Sequence, residues 1–105
     1  MQYGLSSNTV SKINEVLEQF PVVEKAVIYG SRAKGNFKAS SDIDITLKGS
    51  GIDLSILIRL NLKLDDLLLP YKFDLSIYNH IANPELLDHI DRVGQTLWDA
   101  NKIGV

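Results

Sequence analysis

The chain contains no cysteine, which excludes both disulfides and thiolate metal sites. Neither sign of charge dominates: 11 basic and 13 acidic side chains leave a net charge of −2 and a pI near 5.6. A protein that binds nucleic acid generally through its phosphates needs a basic face, and this balance supplies none. The opening segment MQYGLSSNTV lacks the basic and apolar blocks of a signal peptide. The most apolar region, residues 52–69, is interrupted by Asp53, Arg59, Lys63, Asp65 and Asp66, so it does not read as a membrane span. Internal repeats, low-complexity tracts and linkers are also missing. These absences make a cytoplasmic location the expectation.

What is present fits one globular domain over residues 1–105, with 45% hydrophobic and 23% charged residues. A chain of this length buries roughly 60–70% of the surface that it exposes when unfolded, enough for one core. Residues 7–20 predict a helix, with Val10, Ile13, Leu17 and Phe20 at spacings of three and four, Ser6 or Ser7 as cap and Pro21 as stop. KAVIY, residues 25–29, reads as a buried strand ending at Gly30. SDIDITLK, residues 41–48, alternates: Ile43, Ile45 and Leu47 face one way, Asp42, Asp44 and Thr46 the other. KFDLSIY, residues 72–78, repeats the pattern with Phe73, Leu75 and Ile77 opposite Asp74, Ser76 and Tyr78. Asn83 and Pro84 open a last helix whose apolar face is Leu86, Leu87, Ile90, Val93 and Leu97.

Residues 52–69 fit a strand by their alternating leucines and isoleucines, but they are too long for one. Ser55, Arg59, Lys63 and Asp66 form a narrow polar stripe at helical spacing, which decides for a helix apolar over most of its circumference. Ile52, Ile56, Leu57, Leu60, Leu64, Leu67 and Leu68 are expected to pack on the sheet. Leu54, Ile58, Leu62 and Leu69 fall on a second side. The fold class is therefore α/β (α+β), a small mixed sheet with flanking helices. The order is helix, strand, a short connection that can hold a helix, strand, helix, strand, helix. A helical crossover between the second and third strands makes them parallel neighbours. Asp74 then stands beside Asp42 and Asp44 on one face.

Such a cluster suits a hard cation and phosphate. Magnesium takes one or two carboxylates together with substrate phosphates. Carboxylates at i and i+2 of a strand, about 6–7 Å apart, can share two ions that promote in-line displacement at phosphorus. A Gly30-Ser31 turn lets backbone approach a phosphate and adds a hydroxyl donor, while Arg32, Lys34 and Lys38 supply positive charge. Each element alone has an ordinary reading as a turn or a solvated face. Their conjunction points to a metal-and-phosphate site. Rival motifs fail: Asn36-Phe37 replace the Lys and Ser/Thr of a Walker A loop, and Leu47 and Asp53 occupy the glycine and glutamate positions of an EF-hand. His80 and His89 lack zinc-motif neighbours and read as surface or helix residues, and nothing supports Ser-His-Asp chemistry.

The string YGSRAKGNFKASSDIDIT resembles the signature of the DNA polymerase β-like nucleotidyltransferase superfamily, and especially its minimal nucleotidyltransferase (MNT) proteins. KFDLSIY resembles the strand with that family's third carboxylate, and HIDRVGQTLW its closing helix. The resemblance implies a nucleotidyltransferase fold, Gly30, Ser31, Arg32 and Lys34 on the nucleotide, and Asp42, Asp44 and Asp74 as catalytic ligands of two magnesium ions. It implies transfer of a nucleoside monophosphate, AMP from ATP, with release of pyrophosphate. It also implies a HEPN-domain toxin as partner and acceptor, commonly at a tyrosine, and self-association remains open. A non-catalytic antitoxin acting by binding alone is the alternative. A stand-alone enzyme for a small molecule is a weaker third, because the extra substrate domain of larger relatives has no counterpart here.

Overall fold

The computed structural model describes residues 3–102. Helix α1 (Ser7–Glu18) starts where Ser6 Oγ accepts the Thr9 N–H at 3.1 Å. It buries Thr9, Ile13, Val16 and Leu17 and ends one turn before Pro21, slightly earlier than its apolar spacing suggests. Strand β1 (Lys25–Tyr29) leads through Gly30 into a single helical turn, α2 (Ser31–Lys34). Strand β2 (Ile43–Lys48) is followed by α3 (Leu54–Asp65), whose cap Asp53 accepts the Ile56 N–H at 2.9 Å. Strand β3 (Phe73–Ile77) and a short 3₁₀ turn lead to α4 (Pro84–Val93), capped by Asn83. Strand β4 (Gln95–Asp99) completes the sheet.

The sheet order is β3-β2-β1-β4. β2 and β3 run parallel, as the intervening helix predicts, while β1 is antiparallel to both β2 and β4. Strand alternation sends Ala26, Ile28, Ile43, Ile45 and Leu47 into one core with the buried sides of α1 and α3. A smaller cluster on the opposite face joins Val27 and Tyr29 to Ile90 of α4. Each valine, leucine or isoleucine among them contributes about 1.5–3 kcal/mol when fully buried. Among the described residues, no helix is long and apolar enough to cross a membrane.

Two sequence expectations need correction. The last helix does not reach Leu97. It stops at Gly94, where an added Cβ would strike the Ile90 carbonyl and Val27, and Leu97 lies instead on β4. Thr96 is β-branched and Trp98 aromatic, characters that pair well in a strand. The helix expected over 52–69 is shorter, and its end exchanges two leucines. Leu68 sits at φ +55° and is 88% exposed, while Leu69 packs on the core. Leu54, Ile58 and Leu62 remain on the outer side, as the spacing predicts.

Ile45 is fully buried in a central strand, whereas Leu54 is exposed. Ile45→Ala is therefore expected to lower unfolding stability by about 2–5 kcal/mol. Leu54→Ala should change it by no more than about 0.5 kcal/mol. Chemical denaturation of the two variants beside the parent measures both.

Candidate active site

The strand register sets the centre of the site. Tyr29, Asp44 and Asp74 are aligned partners across β1, β2 and β3, so their side chains form a row on the face opposite the main core. β2 is anchored at this end by the Ile43 N–H, which donates to the Lys72 carbonyl at 2.9 Å. Ile43 and Ile45, flanking Asp44, are fully buried, so strand alternation leaves Asp44 no other orientation. Asp42 precedes β2 on the same side and is exposed.

Burial raises the Asp44 carboxyl above its ordinary range, and the neighbouring charges of Asp74 and Asp42 raise it further. The charge of His89 pulls in the opposite direction. Burial also raises the Tyr29 phenol, with Asp44 and Asp74 adding to the effect, so this hydroxyl stays neutral beside the carboxylates. Among the described residues, no three His, Cys, Asp or Glu side chains close into a ready metal cage. The structure thus brings Asp44 and Asp74 together and leaves Asp42 at the rim. Two adjacent carboxylates with an open remaining sphere fit magnesium that arrives with substrate phosphates, the mode in which this ion is usually bound.

Gly30 lies against the pair at φ +74° and ψ −153°, a conformation open essentially to glycine. A Cβ there would collide with Asp44 Oδ2. The Gly30 N–H is held by His89, whose Nε2 accepts it at 3.1 Å, and the His89 ring meets Tyr29 edge to face. Reading His89 only as a surface or helix residue missed this contact. Its place in the site comes from the packing of α4, 59 positions along the chain, and the local sequence around it carries no signal for that. Ser31 follows at the start of α2, half-buried, while Lys34 and Lys38 extend into solvent.

Arg32 differs from the sequence expectation. Its side chain is 2% exposed and points inward, not toward a phosphate. The guanidinium donates to the carbonyls of Tyr3 (2.9 Å), Ser41 (2.9 and 3.2 Å) and Ala39 (3.4 Å), and stacks between the rings of Phe37 and Tyr71. A planar fork with several donors and a flat face suits this position, and a lysine ammonium does not. Arg32 therefore ties the connection between α2 and β2 down onto the fold, and Asp42 begins immediately beyond its anchor at Ser41.

The family model for polymerase beta nucleotidyltransferases matches residues 11–103. The chain belongs to this family. Among solved structures it is similar to a toxin–antitoxin complex crystallised with AMP-PNP, at 26% identity and a TM-score of 0.70, over 86% of this chain and 73% of that one. It also matches a chain of the tri-AMPylated Shewanella oneidensis HEPN toxin in complex with an MNT antitoxin, at 22% identity and a TM-score of 0.68, over 92% and 75%. The second likeness speaks for the fold alone. Among curated proteins none matches. The nucleotidyltransferase fold expected from YGSRAKGNFKASSDIDIT is thus the fold observed.

Two outcomes follow from this geometry. A carboxyl whose affinity for protons is raised on folding stabilises the protein below its unfolded pKa, and that contribution is lost as pH rises through the folded value. At neutral pH the ionised Asp44 is therefore a cost. Asp44→Asn should raise the melting temperature of the metal-free protein by a few degrees at pH 7, with the difference shrinking toward pH 4, as read by thermal melts at both pH values. Arg32→Lys should keep the charge but lose the fork, lowering stability by about 1.5–3 kcal/mol for each charge-assisted hydrogen bond left unmade. Denaturant titration measures that loss.

Proposed function

We propose that the chain acts as a single nucleotidyltransferase domain that transfers AMP from ATP to a hydroxyl of a partner protein, and that this partner is a HEPN toxin which the transfer neutralises. The observation that carries this reading is the Asp44–Asp74 pair, aligned across parallel strands beside Gly30, where any side chain would collide with the Asp44 carboxylate. The toxin–antitoxin neighbours, one with AMP-PNP and one with an AMPylated toxin, support the choice of nucleotide and partner.

In this reading Asp42, Asp44 and Asp74 would hold two magnesium ions. Magnesium, when bound, neutralises phosphate oxygens and favours ionisation of the acceptor hydroxyl. Ser31 donates a hydrogen bond to a phosphate oxygen, Lys34 and Lys38 offset the charge of the departing group, and Gly30 leaves the approach open. The acceptor oxygen attacks the α-phosphorus while its proton passes to the Asp74 carboxylate. An oxygen–phosphorus bond to the acceptor forms, the bond between the α-phosphorus and its bridging oxygen breaks, and pyrophosphate leaves with that electron pair. Arg32 serves this chemistry at a distance, by fixing the segment that carries Asp42.

The test uses ATP labelled at the α-phosphorus and the HEPN-domain protein of the same genome. Label should appear on the partner, pyrophosphate should be released, and Asp44→Asn should abolish both. Ser31→Ala should bind ATP about five-fold more weakly by calorimetry, the equivalent of about 1 kcal/mol for one neutral hydrogen bond. Neutralisation of the toxin without any transfer of label would favour the purely binding antitoxin instead.

A further inference from the structure

Buried polar atoms almost always find a hydrogen-bond partner, so those that do not need a reason. Among the described residues four such atoms have none: Asn14 Oδ1 on α1, Trp98 Nε1 on β4, Thr46 Oγ1 and Ser76 Oγ. The last two belong together. Thr46 of β2 and Ser76 of β3 are aligned partners, two residues along their strands from the aligned pair Asp44 and Asp74. Strand alternation therefore puts all four side chains on one face of the sheet. Thr46 is fully buried there.

The surroundings leave the two hydroxyls one set of polar neighbours. On the β1 side the residue aligned with Thr46 is Val27, which packs with Ile90 of α4. Further along the same face, Lys48 Nζ lies 4.4 Å from the centre of the Tyr78 ring, and the Tyr78 hydroxyl donates to Asp91 at 2.7 Å. Those polar groups are already engaged. In the other direction lies the row of Tyr29, Asp44 and Asp74. Ser76 acts on that row: burial raises the Tyr29 phenol and the Ser76 hydroxyl opposes the rise, without a hydrogen bond closing between them.

A valine would fill the Thr46 position with nearly the same shape and no orphaned oxygen, and an alanine would do so at Ser76. A purely structural role gives no reason for the hydroxyls. An ionised carboxylate gives one, because it only accepts hydrogen bonds and has sites for several, and a hydroxyl rotates to suit its acceptor. Carboxylates that hold a metal are in turn held by such hydrogen bonds. We infer that Thr46 and Ser76 are positioning residues for the candidate metal site, whose hydroxyls donate to the Asp44 and Asp74 carboxylates and fix them to receive magnesium with the nucleotide. This inference deepens the reading under Proposed function and rests on it. Neither residue touches substrate or ion. The cost of two unpartnered hydroxyls in the free protein is offset when the ion binds.

Thr46→Val removes one hydroxyl and keeps the shape, and Ser76→Ala removes the other. Calorimetry with a non-hydrolysable ATP analogue present measures the magnesium affinity of each, and thermal melts measure the metal-free proteins. Each variant should bind magnesium about ten-fold more weakly than the parent, about 1.4 kcal/mol, while its metal-free melting temperature stays the same or rises. Thr46→Ser, which keeps the donor, should bind magnesium within about two-fold of the parent. A role in the fold alone would do the opposite, lowering the melting temperature and leaving the affinity unmoved. Parent-like magnesium affinity in folded Thr46→Val and Ser76→Ala overturns the inference and leaves the proposed function in place. So does a Thr46→Ser protein as weak as Thr46→Val, which would show that the hydroxyl is not what matters. If Thr46→Val does not fold, Ser76→Ala carries the test alone. If the parent binds no magnesium with the nucleotide, the proposed function and this inference fall together.

Discussion

The candidate site depends on the register of one parallel strand pair. Asp44 of β2 and Asp74 of β3 are aligned partners, so the backbone ladder places two carboxylates side by side on one face of the sheet. The fully buried isoleucines on either side of Asp44 make that register hard to change, because a slip of one residue would turn them to solvent and the aspartate into the core. The repulsion is visible in the raised Asp44 carboxyl, to which burial contributes most. Stability is thus spent where a cation can recover it, a common feature of functional sites.

The remaining parts of the site are arranged around that pair. Gly30 is compatible with Asp44 only because it has no Cβ, and its backbone conformation is one that other residues avoid. His89 secures the Gly30 amide from α4, and Arg32 secures the connection that ends at Asp42. One contact holds the glycine-serine turn and the other holds the segment that leads into Asp42. Between them they position both segments that flank the carboxylates without either residue being one of the acidic ligands.

Much of this was legible in the sequence, for identifiable reasons. Alternation in SDIDITLK and KFDLSIY settled which side chains face the core, and the length of the intervening helix settled that their strands are parallel. From those two facts the meeting of Asp44 and Asp74 follows. The fourth strand was hidden because Leu97 continues the helical spacing of Leu86, Ile90 and Val93. The helix ends at Gly94, whose backbone turns extended and which packs too closely on Ile90 and Val27 to carry a side chain, and spacing does not encode this. Arg32 was misplaced because an arginine in a glycine-rich loop reads as a phosphate ligand. Its inward turn depends on carbonyls and rings supplied by Tyr3, Phe37, Ser41 and Tyr71, which converge only in the fold. His89 was missed for the same reason.

The central claim is that Asp44 and Asp74 form an incomplete metal site that substrate phosphates complete. A crystal structure of the protein with magnesium and a non-hydrolysable ATP analogue tests it most directly. The account predicts a magnesium ion at about 2.0–2.1 Å from oxygens of both carboxylates and of the nucleotide's phosphates, with the phosphate chain running toward Gly30 and Ser31. A nucleotide bound with its phosphates away from Asp44 and Asp74, or magnesium held without either carboxylate, would contradict it.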